Sequence, residues 1–384
     1  MVEQQLPKLH TRVRFPSPFH LRFRVSPLGL TPTNGILLLM TPRNPSMDKP
    51  SPRSRRLVLK AGSALAASGW SALARSANLE RVRLALDWTP NTNHIGFFVA
   101  NQLGGYRDVG IELEILPYSG TATPTLLSVD RCDFGISFQH SLLFARSAGL
   151  PVVSAMAILQ HVATEIAFKA NRTDIQTPKD LDGKIYAGFG LPHEVSTLQQ
   201  VIRNAGGLGK FETVTLKTAA YEALYAGAAD FTIPYMTWEG IDAELNKQAL
   251  RTFRFTDYGF PDFYQVLLAV NAQWLATHKD LAQRFVRATA RGYAMAAKQP
   301  REAAQLLMSA NKGVFNKPEL VERSTRLLAD RFFLDERGQF GTQTLSRWTA
   351  YSRFLFNAGL LKDANAKALS QEPNWSSYFA NDLL

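Results

Sequence analysis

A single cysteine, Cys132, in a chain of 384 residues leaves no partner for an intramolecular disulfide and no basis for a cysteine zinc site. It opens the stretch Cys132-Asp133-Phe134-Gly135, the start of an expected buried strand, where a free thiol reads as a small hydrophobe rather than a nucleophile. Cysteine poverty also suits an oxidising compartment. His94, His140, His161 and His193 are scattered without the spacing of metal ligands, so no metal is expected. A lasting excess of positive charge is missing too. The formal charge is +11, but residues 1–76 hold 12 of the 43 Lys and Arg and 2 of the 32 Asp and Glu, leaving 31 basic against 30 acidic residues on the body. A groove tracking phosphates needs clustered charge on the folded part, so nucleic acid is not an expected partner. No run beyond the leader approaches the roughly 18 apolar residues needed to cross a bilayer, and no internal repeat or low-complexity tract occurs.

What is present begins with an address. Ser54-Arg55-Arg56-Leu57-Val58-Leu59-Lys60 precedes an Ala-rich apolar run, Ala61 to Ala74, that ends in small residues. That is the order of a twin-arginine signal, with cleavage expected between about Ala74 and Ala77, and it predicts delivery to the periplasm. Residues 1–46 show neither a helical nor a strand period. They put Met47 where the signal should begin, so residues 47–76 are read as the signal peptide and 1–46 as untranslated or disordered.

After the leader, short apolar runs alternate with helix-like segments. Strands are expected at residues 82–86, 111–116, 133–137 and 152–159, then at 184–188, 213–216, 230–234 and 251–255, with 265–270 leading back. From Ala272 onward the pattern is helical. Such alternation predicts parallel strands with crossover helices, and the length, with 46% hydrophobic residues, suits two lobes. The expected architecture is a two-lobed α/β clam-shell: residues 77–165 and 271–384 form lobe 1, residues 166–270 form lobe 2, and two strands cross between them. A ligand held at the lobe interface is the natural use of such a hinge.

The densest chemistry lies in Leu86-Asp87-Trp88-Thr89-Pro90-Asn91-Thr92-Asn93-His94, between the first strand and a helix. Ligands of open α/β sheets sit outside the carboxyl ends of the strands, where loop side chains and free helix N–H groups meet. A carboxylate, an indole and two amides at one such turn read as the lip of a pocket for a flat, polar, ring-shaped molecule.

That stretch through Ile95-Gly96, with Tyr186-Ala187-Gly188-Phe189-Gly190-Leu191-Pro192-His193-Glu194, Trp238-Glu239-Gly240 and Pro261-Asp262-Phe263-Tyr264, resembles the thiamine-pyrimidine-binding family over nearly the whole mature chain. The resemblance implies a type II periplasmic-binding-protein fold. It also implies the task of delivering formylaminopyrimidine or hydroxymethylpyrimidine to an ABC permease in the inner membrane, for thiamine biosynthesis or salvage, by a monomer without a cofactor. The fungal members are synthases that use a lysine for pyridoxal phosphate, a histidine as pyrimidine donor and a cysteine-rich iron motif. Ser137 and Ser141 stand where that lysine and histidine would fall, and the cysteines are absent. An enzyme is therefore not expected.

The residues themselves fit the same ligand class. Trp88 can cover one face of an aminopyrimidine, and Tyr235, Trp238, Phe263 or Tyr264 the other. Asp87, Glu194 or Glu239 can accept from its amine, and Asn91 and Asn93 can donate or accept. Gly188, Phe189 and Gly190 form a turn that brings a helix N-terminus to the ligand, while His193 in the third glycine's place excludes a dinucleotide motif. His94 completes the candidate set. Plainer roles exist for several of these. Asn91, Thr92 and Asn93 also fit a turn and helix cap, Glu194 a first-turn acid, and Tyr235 with Trp238 a buried stripe. The same fold carrying an alkylsulfonate, nitrate or riboflavin is the alternative, although an anion carrier would want an arginine or amide nest where this chain offers Asp87.

Overall fold

The computed structural model describes residues 79–384; the expected signal peptide at 47–76 and residues 1–46 lie outside them. Chain order runs through Glu80–Ala85 (β1), Ile95–Gln102 (α1), Ile111–Leu116 (β2), Thr123–Ser128 (α2), Phe134–Ser137 (β3), Gln139–Ser147 (α3) and Val152–Ala157 (β4). It then crosses into Ile166–Lys169 (β5), Ile185–Gly188 (β6), Glu194–Asn204 (α4), Glu212–Thr215 (β7), Ala219–Ala226 (α5), Phe231–Thr232 (β8), Ile241–Leu245 (α6) and Leu250–Phe253 (β9). The return strand Leu267–Asn271 (β10) leads into Ala272–Thr277 (α7), Lys279–Lys298 (α8), Pro300–Ala310 (α9), Pro318–Arg331 (α10) and Leu345–Asn357 (α11).

Two five-stranded sheets result, ordered β2-β1-β3-β10-β4 and β7-β6-β8-β5-β9. They follow one plan. β1 runs parallel to β2 and β3, and β6 parallel to β7 and β8, as βαβ alternation requires. The fourth place in each sheet is taken by the strand that has just arrived from the other lobe, β10 in the first and β5 in the second. Both are antiparallel to their neighbours, where all-parallel sheets were expected. A strand entering directly from the opposite lobe has no crossover helix to turn it round. Residues 267–270, grouped with lobe 2 in the sequence reading, pair in the first sheet for the same reason.

β3 and β4 are buried along their whole length, which explains their unbroken apolar sequences, whereas the edge strand β7 is exposed throughout. The two crossings are stitched side by side. Asp262 accepts the Val162 N–H at 3.0 Å and lies 2.6 Å from His161 Nδ1, Gln265 accepts the Ala163 N–H, and Phe263 stacks on Tyr351 of α11 with ring centroids 4.0 Å apart. The lobes also meet away from the hinge, where Lys317 Nζ is 2.6 Å from Asp242 Oδ1.

Helices α1 and α8 press together at two glycines. A Cβ on Gly292 would lie 2.1 Å from the Gly96 carbonyl oxygen, and one on Gly96 would lie 2.1 Å from the Tyr293 ring. Tyr293, fully buried, donates its hydroxyl to the Asn93 carbonyl at 2.5 Å, so this tight crossing also holds the turn that follows β1.

Cys132 is buried, and desolvation pushes its thiol up to about 12. Under native conditions at pH 8 it is expected to resist a thiol-disulfide reagent and to react fully once the chain is denatured. Rapid native labelling would contradict that burial.

Candidate functional site

β1 ends at Ala85, and the chain leaves the sheet through buried Leu86 before presenting Asp87. His94 lies directly behind it, completely buried, with Nε2 2.7 Å from Asp87 Oδ1. The Asn91 N–H donates to His94 Nδ1 at 3.3 Å, which assigns the ring proton to Nε2 and makes His94 a donor to Asp87. Both ring nitrogens are thus engaged inside the protein. His94 aims the carboxylate and has no free nitrogen for a ligand, a correction to its place among the candidate contacts.

The motif's amides hold the loop. Asn91 Oδ1 accepts the Asn93 N–H at 2.9 Å, and its Nδ2 donates to the Thr89 carbonyl at 3.1 Å, so Asn91 caps the short 3-10 turn Thr92–His94. The Thr92 and Ser324 hydroxyls, both buried and 2.6 Å apart, fasten that turn to α10. The Asn93 carbonyl is the acceptor for Tyr293, and its side chain is half-buried.

Trp88 behaves oppositely. It is 45% exposed, and its ring centroid is 5.1 Å from that of Tyr118 at a 42° tilt. Tyr118 follows β2, the strand paired with β1, so the sheet order puts two aromatics at neighbouring strand ends. Tyr118 was missed in the sequence reading; an aromatic just past a strand end was its signal, and the β1–β2 pairing gives it meaning.

In lobe 2, β6 ends at Gly188, where a Cβ would come within 2.6 Å of both the Tyr186 hydroxyl and Glu194 Oε2. Gly190 has φ +81°, a conformation that favours glycine. The Phe189 and Gly190 N–H groups donate to Glu194 Oε1 and Oε2 at 3.3 and 3.0 Å. Burial pushes this carboxyl up while the amides pull it back. The loop's nest of N–H groups is therefore filled by the chain's own acid, and Glu194 holds the loop rather than facing the cleft. Phe189 is half-buried, its ring 6.2 Å from Tyr221.

Tyr235, Trp238 and Glu239 come together on the turn Met236–Gly240 and its lead-in, all half-buried. The Tyr235 N–H donates to Glu239 Oε2 at 3.2 Å, and Trp238 stands 6.4 Å from Phe315 of lobe 1. Desolvation pushes Glu239 up to about 7. It also drives the Tyr235 phenol well above its ordinary range, with the charges of Asp87 and Glu239 adding to the rise. Tyr235 thus sits within electrostatic reach of a carboxyl from each lobe.

Tyr264 belongs elsewhere. It is 1% exposed, its N–H donates to Gln139 at 3.0 Å and its hydroxyl accepts the Thr344 N–H at 2.7 Å. Its packing in the hinge removes it from the candidate ring partners, because the bonds that build the crossing consume its polar atoms. It borders a cavity of about 370 Å³ with Gln160, Asp262, Asp335, Glu336 and Arg347. Arg347 donates to Glu336 and to the Gln160 carbonyl, and Asp335 accepts from Arg337, Gln339 and Thr342, so the charges of this cavity satisfy one another.

The profile of the family described as "NMT1/THI5 like" matches residues 91–303. The formylaminopyrimidine-binding protein of Halalkalibacterium halodurans is 28% identical over 70% of this chain and 83% of its own. A 4-amino-5-hydroxymethyl-2-methylpyrimidine phosphate synthase of Legionella pneumophila is 28% identical over 62% of this chain and 76% of its own. Among solved structures, the alkanesulfonate-binding protein SsuA of Xanthomonas axonopodis superposes with a TM-score of 0.57 at 16% identity, over 75% of this chain and 96% of that one. The last likeness establishes the periplasmic-binding-protein fold. With more than half of its length covered by one profile, from the Asn91 turn behind Trp88 through the helix that carries Gly292, the chain belongs to the NMT1/THI5-like family.

Proposed function

We propose that the protein is the solute-binding component of an ABC importer, exported through the twin-arginine pathway to the periplasm, and that its cargo is a thiamine-type aminopyrimidine such as formylaminopyrimidine or hydroxymethylpyrimidine. The observation that carries this reading is the exposed Trp88 standing beside a carboxylate that His94 orients from behind. An indole face and a fixed acceptor are what a planar ring with an exocyclic amine requires. Tyr235 and Glu239 offer the facing wall from the second lobe, and Tyr118 widens the aromatic lip. Contacts made only when the lobes approach would stabilise the closed arrangement.

Binding without catalysis is favoured by Ser137. It ends β3 where the resemblance to the fungal synthases places their lysine, and it offers a buried hydroxyl without a partner among the described residues. A hydroxyl cannot form a Schiff base, so pyridoxal phosphate does not fit there. An anion such as a sulfonate is disfavoured because the first turn offers the Asp87 carboxylate beside Trp88 and Glu194 fills the amide nest.

A thermal-shift panel of formylaminopyrimidine, hydroxymethylpyrimidine, thiamine, riboflavin, taurine and nitrate tests the cargo. A pyrimidine at 100 times its Kd is expected to stabilise the chain by about 2.7 kcal/mol, with nitrate and taurine inert. A shift with taurine alone would overturn the reading.

A further inference from the structure

Two histidines that the binding site does not use meet across the lobe boundary. His140 lies in the first turn of α3 in lobe 1, and His193 immediately precedes α4 in lobe 2. Their ring centroids are 3.9 Å apart at 28°, Phe138 stacks on His140 at 5.3 Å, and Phe144 borders both rings at 6.3 and 6.4 Å. His140 is 8% exposed, and the Nδ1 atoms of both histidines are buried without a hydrogen-bond partner among the described residues.

We propose that the His140–His193 stack is a proton-sensitive latch between the lobes, shut while both imidazoles are neutral and released when either is protonated. Two imidazolium rings at stacking distance repel, and the phenylalanines beside them offer no counter-charge. No acid compensates. Among the described residues each ring has the other as its titratable neighbour, and the adjacent Glu194 carboxylate is occupied by the Phe189 and Gly190 amides. Burial holds His140 well below the ordinary imidazole value and His193 at about 4.

The sign follows from proton counting. Parting the lobes returns both rings to water, so the open form binds more protons below about pH 6.5 and closure weakens as pH falls. The loss for His193 is complete near its closed-form value of about 4. Within that window each histidine lowers the closed-to-open ratio about tenfold per pH unit. Glu239, raised to about 7, acts in the opposite sense to the extent that lobe 1 contributes to its burial, and it does so equally in histidine variants.

The latch is independent of cargo, so its test uses no ligand and stands apart from the binding reading. Small-angle scattering of the full chain at pH 7.5 and pH 5.5 is expected to show expansion on acidification in the wild type. The His140→Phe/His193→Phe variant, planar and unable to titrate, is expected to stay compact. His193→Asn, at the less buried position, serves if the double variant folds poorly. Proton NMR should place both wild-type titration midpoints at least about one pH unit below the ordinary imidazole value. Equal expansion in wild type and variant, no expansion in either, or ordinary midpoints would overturn the latch.

Discussion

Asp87→Asn is expected to weaken aminopyrimidine binding about 10- to 150-fold, the equivalent of a hydrogen bond to a charged group at about 1.5 to 3 kcal/mol. The amide oxygen would keep the bond from His94 Nε2, so the turn stays in place. The amide nitrogen then faces the ligand's own amine, donor against donor, and the acceptor is lost. Trp88→Ala is expected to remove a further 1 to 3 kcal/mol, roughly, of stacking. Because Trp88 is 45% exposed, the melting temperature of the unliganded protein should hardly move. Isothermal titration with formylaminopyrimidine, alongside a ligand-free melt, reads both effects. Unchanged affinity in both variants would remove the β1 turn from the site, and a large loss of ligand-free stability in Trp88→Ala would make the indole a packing residue.

Gly292→Ala is expected to cost more than any surface change, about 3 kcal/mol or above. Its Cβ would meet the Gly96 carbonyl oxygen at 2.1 Å, and a backbone atom inside a helix cannot swing aside as a side chain can. Relief requires α1 and α8 to separate, which pulls Tyr293 from the Asn93 carbonyl and loosens the turn that presents Asp87 and Trp88. Loss of stability and weakened ligand binding should therefore appear together. Chemical denaturation compared with Ser→Ala at exposed Ser309 measures the first, and a wild-type midpoint in Gly292→Ala would refute the tight crossing.

Much of the architecture was readable from periodicity. The expected strands at 111–116 and 152–159 carry their apolar residues at strand spacing and the segment after Ala272 at helix spacing, and the observed β2, β4 and α10 lie within a few residues of those patterns. The start of α4 at Glu194 agrees with the helix expected after Gly190, whereas α5 has no counterpart in the sequence pattern, because Gly and Thr punctuation around 205–219 reads as loop between short strands. Sheet direction was out of reach. Whether β5 and β10 run with or against their neighbours depends on the end from which they enter a sheet, and local pattern carries no record of that.

The candidate site divides along the same line. Residue type and place at a strand end were enough to mark Asp87 and Trp88 as candidates, since a carboxylate or indole just past an apolar strand is conspicuous without coordinates, while Glu239 entered through the family resemblance. Which polar atoms already have a partner was invisible there. His94 looks like a ligand contact until Asp87 is found 2.7 Å from it, Glu194 until two backbone amides reach it, and Tyr264 until the hinge closes over it. Composition and spacing establish what a chain can offer chemically, because those properties belong to each residue and its near neighbours. What remains on offer, and how packing brings Trp88 beside Tyr118, Asp87 within reach of Tyr235, and His140 onto His193, is decided by contacts between residues far apart in the chain, and it exists only once they have packed.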